Sequence, residues 1–92
     1  MTTKTQIKSA IVGYVKGTAY SKWRIGLTHD LAERKAYWGE NKRQDMSSWH
    51  NWTADSLADA QEIENYFINE KGMKGGVGGD LSARKTVYVY IL

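Results

Sequence analysis

Residues 9–15, Ser-Ala-Ile-Val-Gly-Tyr-Val, are a short β-branched apolar run, which predicts a buried strand ending near Lys16 and Gly17. After a turn over residues 17–21, residues 22–28 (Lys-Trp-Arg-Ile-Gly-Leu-Thr) read as a second strand, and so short a connection predicts an antiparallel hairpin. Asp30 is placed to cap the next helix, with Glu33 as its capping-box partner, residues 31–38 as its body and Gly39 as its stop. Residues 40–53 carry no period but contain Trp49, His50, Asn51 and Trp52, rings that either plug the base of the domain or meet a ligand. A second helix starts at Thr53, Asp55 or Ser56, runs to residues 69–71 and closes at Gly72. The glycine-rich residues 75–79 predict a flexible or tightly turning loop. They lack the preceding strand, the spaced lysine and the following helix of a phosphate-binding P-loop. Residues 86–92 form a final strand. The expected architecture is one α/β (α+β) domain over residues 1–92, a small three-stranded antiparallel sheet flanked by helices, with no internal repeat or linker.

Two long charged side chains interrupt this pattern. At about 100° per residue, Leu57, Ala60, Phe67 and Ile68 form one stripe of the second helix, and Glu64 falls near its middle. On the first predicted helix Leu31 and Trp38 define the inward face with Tyr37 beside it, and Arg34 lies within that arc. A charge beside an apolar face needs a partner, a metal or a wet cleft to offset its desolvation, so a polar site at the helix–sheet boundary is one reading. The other is that Arg34 and Glu64 pair with each other or extend to water at the helix rim.

Composition narrows the classes. Ninety-two residues suffice for one core, and the absence of cysteine excludes disulfides, thiolate zinc sites and cysteine nucleophiles, which fits a reducing cytoplasmic setting. The polar, basic start and the short apolar runs fit neither a signal peptide nor a membrane span. Thirteen Lys and Arg against ten Asp and Glu give a net charge of +3, which permits a polyanionic partner. The cations gather in the first half, among them Lys22, Arg24, Arg34 and Lys35, while acids thicken between Asp55 and Glu70, so the N-terminal half is the better phosphate-facing surface or, equally, an ordinary solvated face.

With these residues on it, the chain resembles the GIY-YIG endonuclease domain, a family named for two tripeptides on adjacent strands. Val12-Gly13-Tyr14 and Arg24-Ile25-Gly26 stand at the two tripeptides, the passage from Ile25 to Arg34 is similar to the strand-to-helix segment ending at the family's catalytic arginine, and Glu64 matches its metal-binding glutamate. The resemblance implies metal-assisted hydrolysis of DNA phosphodiesters, with Mg²⁺ or Mn²⁺ on Glu64, transition-state charge stabilised by Arg34, and Tyr14 positioning or deprotonating the attacking water. Apart from the resemblance, Lys22 and Lys35 of the basic half are the candidate DNA contacts, Trp49 and Trp52 are core volume or, on an exposed loop, stacking platforms for unpaired bases, and a nuclease domain of this length calls for a dimer or a separate targeting protein to supply affinity.

Arg24 departs from the family pattern, because a guanidinium in place of the second tyrosine cannot deprotonate water. Tyr20 or His29 could substitute, or be a plain turn residue and a solvated residue ahead of the helix cap. Asp80 and Asn69 are loose matches to a late polar residue of the family. Two rivals follow: a catalytically inactive nucleic-acid-binding module on the same fold, and a small protein-interaction domain using Trp49, Trp52 and Tyr66 as anchors. Trp23 and Trp38 read as core, since a domain with one phenylalanine needs its indoles for volume.

Overall fold

The computed structural model describes residues 3–44, 46–75 and 86–92. Its first element corrects the sequence reading: residues 9–15 are no strand but the C-terminal part of helix α1, Lys4–Val15. Thr3 caps it in a reciprocal box, its hydroxyl accepting from the Gln6 N–H at 3.2 Å while the Gln6 side chain accepts from the Thr3 N–H at 3.0 Å. Ile7, Ile11 and Val15, four residues apart, fall on one face and are wholly buried, whereas Val12 and Tyr14 stand about half exposed. Each buried aliphatic side chain contributes about 1.5–3 kcal/mol, enough to override the roughly 1 kcal/mol cost of Gly13 inside the helix.

A single 3-10 turn, Tyr20–Lys22, leads into strand β1, Arg24–Thr28. Asp30 then caps helix α2, Leu31–Ala36, as expected, its carboxylate accepting from the Glu33 N–H at 3.0 Å. Gly39 does not stop this helix, which widens into a π-helical turn over Tyr37–Asn41. After a 3-10 turn at Met46–Ser48, His50–Thr53 form strand β2 where no regular element was expected. Helix α3, Leu57–Asn69, is capped by Ser56, and Gly72, with φ 83°, takes the left-handed conformation just beyond it. Strand β3 is the two residues Lys74–Gly75, and strand β4 is Tyr88–Ile91.

The class is therefore α+β with helices flanking a sheet, as read from sequence, but the sheet has four strands in mixed order β2-β4-β1-β3. β4 runs antiparallel to both β1 and β2, and only β3 is parallel to its neighbour β1. The expected N-terminal hairpin is absent. Its place beside β1 is taken by β4, with Gly26 opposite Tyr90 and Ile25 opposite Ile91.

Strand alternation then divides the chemistry. Ile25, Leu27, Val89 and Ile91 join Ile7, Ile11 and Val15 of α1 and Ala60, Ile63 and Phe67 of α3 in the core. Arg24, Gly26, Thr28 and Tyr90 alternate to the opposite face, where Trp38 and Trp49 pack on Tyr90. Among the described residues no helix is long and apolar enough to cross a membrane.

Candidate functional site

Tyr90 is the centre of the face opposite the core. Its side chain is wholly buried, stacked on Trp49 at 4.7 Å between centroids and 6° between planes, and its hydroxyl accepts from Trp38 Nε1 at 2.9 Å. The ring lies directly over Gly26: a methyl built there would sit 2.5 Å from Cζ and nearer still to the hydroxyl. A glycine inside a strand often marks such a close approach. Burial pushes the Tyr90 hydroxyl above the usual phenol range, opposed by the Trp38 bond and by the positive charges of Arg34 and Arg24, while the negative charge of Glu64 raises it further. Three charged groups from three elements, β1, α2 and α3, therefore act on one phenol.

Arg34 projects from α2 with its guanidinium 5.4 Å from the centre of the Tyr37 ring, and its buried Nε has no hydrogen-bond partner. A buried donor left unpaired costs about 1–3 kcal/mol, so its retention requires an explanation. Glu64 is half-buried on α3, and burial alone raises its carboxyl above the ordinary range. No ion pair joins it to Arg34. The ion pairs among the described residues run instead from Lys4 and Lys8 to Glu62, at 2.7 and 3.7 Å, where Lys4 lowers the Glu62 carboxyl and is itself raised by it. The two inward charges thus neither pair with each other nor reach full exposure. Glu64 lies at the shoulder of the buried arc rather than at its middle, because Ile63, outside the expected stripe, shifts the arc's centre towards Ala60, Ile63 and Phe67.

Arg24 has a structural place as well as a chemical one. Its Nη1 donates to the Gly75 carbonyl at 2.7 Å, and its guanidinium lies 4.5 Å from the centre of the Trp38 ring. Tyr14, read as a strand residue beside β1, is on α1 instead, where its ring stacks 3.6 Å from His50. That contact is at the core side of β2, and Tyr14 is absent from the groups acting on Tyr90. Lys35 is exposed, with its ammonium 5.6 Å from the Trp49 ring centre, and Lys22 is exposed near Arg24. Trp49 is spent on Tyr90 and bonds Asn51 Oδ1 at 2.8 Å, and Trp52 packs against the core. Tyr66 also packs against the core, so none of the three aromatic anchors is a free projecting ring.

Tyr20 packs near Phe67, His29 is exposed between β1 and α2, and Asn69 ends α3 at the surface. Asp80 and the glycines at 76, 78 and 79 lie outside the described residues. The residue that sequence reasoning missed is Tyr90. The signal was present in the alternation of Tyr88 and Tyr90 against Val89 and Ile91, which assigns the tyrosines to the non-core face.

Among the described residues no group of three or more His, Asp or Glu side chains converges that could hold a metal ion. A hard divalent ion does not need one, since Mg²⁺ commonly keeps waters and substrate phosphates around one or two carboxylates. Glu64, desolvated and without a hydrogen-bond or ion-pair partner among the described residues, has the donor chemistry for that single anchor. Compared with known protein-family models, curated proteins and solved structures, the chain gives no significant match.

Proposed function

We propose that this domain binds a nucleic-acid backbone, DNA foremost, at the Tyr90 face and hydrolyses a phosphodiester there as a divergent GIY-YIG-type nuclease. The observation that carries the reading is the Arg34 guanidinium, whose buried Nε has no hydrogen-bond partner, and the half-buried Glu64, unpartnered among the described residues, both acting electrostatically on one buried phenol. A phosphate held by the outer donors of the guanidinium and a divalent cation held by Glu64 are the ligands whose chemistry matches these two groups. The neighbour relation of β1 and β4 supports the same reading. A tyrosine lies opposite the glycine of Arg24-Ile25-Gly26, on the adjacent antiparallel strand, although it is Tyr90 and not Tyr14.

The roles follow from these positions. Arg34 holds a non-bridging phosphate oxygen and stabilises the charge that develops on it in the transition state. Tyr90 remains a neutral phenol at physiological pH, since burial raises it, and, wholly buried with its oxygen accepting from Trp38, it braces the face between the charged groups rather than meeting the phosphate. Arg24 cannot serve as a base and adds positive charge beside the phenol. Glu64 would hold Mg²⁺ or Mn²⁺, which would supply an acidified water and neutralise phosphate charge.

A plasmid-nicking assay with Mg²⁺ and Mn²⁺ tests this. Glu64→Gln and Arg34→Lys should each lower the rate by about 10²–10³, with folding retained by circular dichroism. Undiminished nicking in both variants would refute the assignment. The presence of Arg24 where the family has a tyrosine favours one second reading, a module that grips DNA without cutting it, distinguished by salt-sensitive binding with no strand cleavage.

A further inference from the structure

Beside this face lies a separate polar cavity of about 190 Å³, lined by Lys22, Arg24, Gln44, Ser48, Lys74 and Leu92. At about 30 Å³ per water it has room for roughly six waters, and hence for a partly hydrated tetrahedral anion. Three cationic side chains line it, brought by the turn before β1, by β1 and by β3, and among the described residues no carboxylate side chain is in its lining. Like charges gathered in one concavity repel, and the arrangement is relieved when an anion enters. Ser48 and Gln44 add neutral donors to the charged ones. Arg24 belongs to both places: it lines the cavity, and its charge reaches the Tyr90 hydroxyl.

We infer that this cavity is a second phosphate subsite, holding a phosphate of the same polynucleotide whose scissile phosphate lies against Arg34. The inference rests on the function proposed above for its polynucleotide, though not for its anion chemistry. Lys22 and Lys74 supply mobile ammonium groups, and Arg24 supplies a fixed guanidinium already oriented by Gly75. The occupant is a phosphate group, either a terminal monoester or an internal diester. A site on one side of the scissile position would fix the strand's register and direction as well as add affinity.

The test uses the whole chain and a double variant, Lys22→Ala with Lys74→Ala, both exposed positions at which folding is checked by thermal melting. Three probes are titrated without metal and followed by NMR at the Arg24 side chain and the Lys74 amide: inorganic phosphate, a short single-stranded oligonucleotide, and the same oligonucleotide bearing a 5′-phosphate. The wild-type chain should show saturable shifts at both positions. The double variant should bind the oligonucleotide roughly ten- to hundredfold more weakly, as expected for a lost charge-assisted contact, with its salt slope reduced by about 0.7. Tighter binding of the 5′-phosphorylated strand assigns the subsite to a terminal phosphate, and equal binding assigns it to an internal one. Absence of shifts at Arg24 and Lys74, or unchanged affinity and slope in the double variant, overturns the inference. Glu64→Gln separates the two proposals. Persistent nicking in that variant removes the hydrolytic reading while phosphate shifts at the cavity stand, whereas nicking lost there together with an unaffected double variant removes the subsite alone.

Discussion

Replacing Gly26 by alanine tests the geometry of the Tyr90 face more directly than any assay of function. The backbone at Gly26 is not in the positive-φ region, which the described glycines reach only at Gly17 and Gly72. On backbone grounds alone alanine would therefore stabilise by about 0.4–1 kcal/mol, through the lower entropy of the unfolded chain. The Tyr90 ring reverses the sign. The new methyl would lie 2.5 Å from Cζ and 2.9 Å from Cε2, against an optimal carbon–carbon separation of about 3.5–4.0 Å, so something must move by an ångström or more. The ring cannot yield cheaply, since it is stacked on Trp49, bonded by Trp38 and wholly buried. Overpacking of this kind costs about 1–3 kcal/mol, and the rigid surround places Gly26→Ala at the upper end. For a domain of this size, about 3 kcal/mol lowers Tm by roughly 12–24 °C. In a Tyr90→Ala background the same substitution should be neutral or stabilising, giving a coupling energy of about 2–4 kcal/mol in a double-mutant cycle read by urea unfolding. Equal effects of Gly26→Ala in the two backgrounds would refute the placement of the ring over Gly26.

Glu64→Gln should stabilise the metal-free protein near neutral pH. The folded-state carboxyl titrates above its unfolded value, so the folded form binds more protons and stability falls as pH rises from the ordinary glutamate range through the raised one. Denaturant melts across pH should lose that slope in the variant, and an unchanged slope would remove desolvation as the cause. Trp38→Phe deletes the donor to the Tyr90 oxygen, which should cost about 1–3 kcal/mol and move the buried tyrosine's ultraviolet titration to still higher pH; a titration that stays in place would show that the bond does not hold the phenol. Ile11→Ala should cost about 2–5 kcal/mol while Val12→Ala stays within about 0.5 kcal/mol, a contrast that thermal melts resolve and that comparable losses would contradict.

Local chemistry was legible where a cap or a period named the element. Asp30 and Ser56 cap α2 and α3, Gly72 follows α3, and β1 lies within residues 22–28, all close to the sequence reading. The same rules were available for α1 and were overridden by a seven-residue apolar run. Thr3 and Gln6 three residues apart mark a capping box, and Ile7, Ile11 and Val15 recur every four residues, but the stripe begins two residues ahead of residues 9–15 and is masked by the exposed Val12 and Tyr14. What could not be read locally was the partner of β1. Residues 22–28 offer two edges, and whether the chain segment before them or one sixty residues later fills the edge depends on which segment can also bury Val89 and Ile91 beneath α1 and α3. Once α1 is a helix over the core face, only β4 can complete that side of the sheet, and Tyr90 rather than Tyr14 comes to face Gly26.

Arg34 and Glu64 were selected because their positions conflict with burial, and no partner among the described residues resolves the conflict. A fold optimised for stability alone would bring the two into contact or replace both with apolar groups, a change that is often neutral or favourable for buried ion pairs. Here each sits instead in the field of the Tyr90 hydroxyl, one lowering and one raising its titration, and neither takes the other as partner. Local rules broken at one place in an otherwise consistent structure are the pattern expected of a functional site, where unsatisfied groups are retained for what they bind. A ligand that satisfied them would stabilise the fold, by about 2.7 kcal/mol at a concentration one hundred times Kd, so the proposed phosphate and cation sites predict a rise in Tm when either ligand is added.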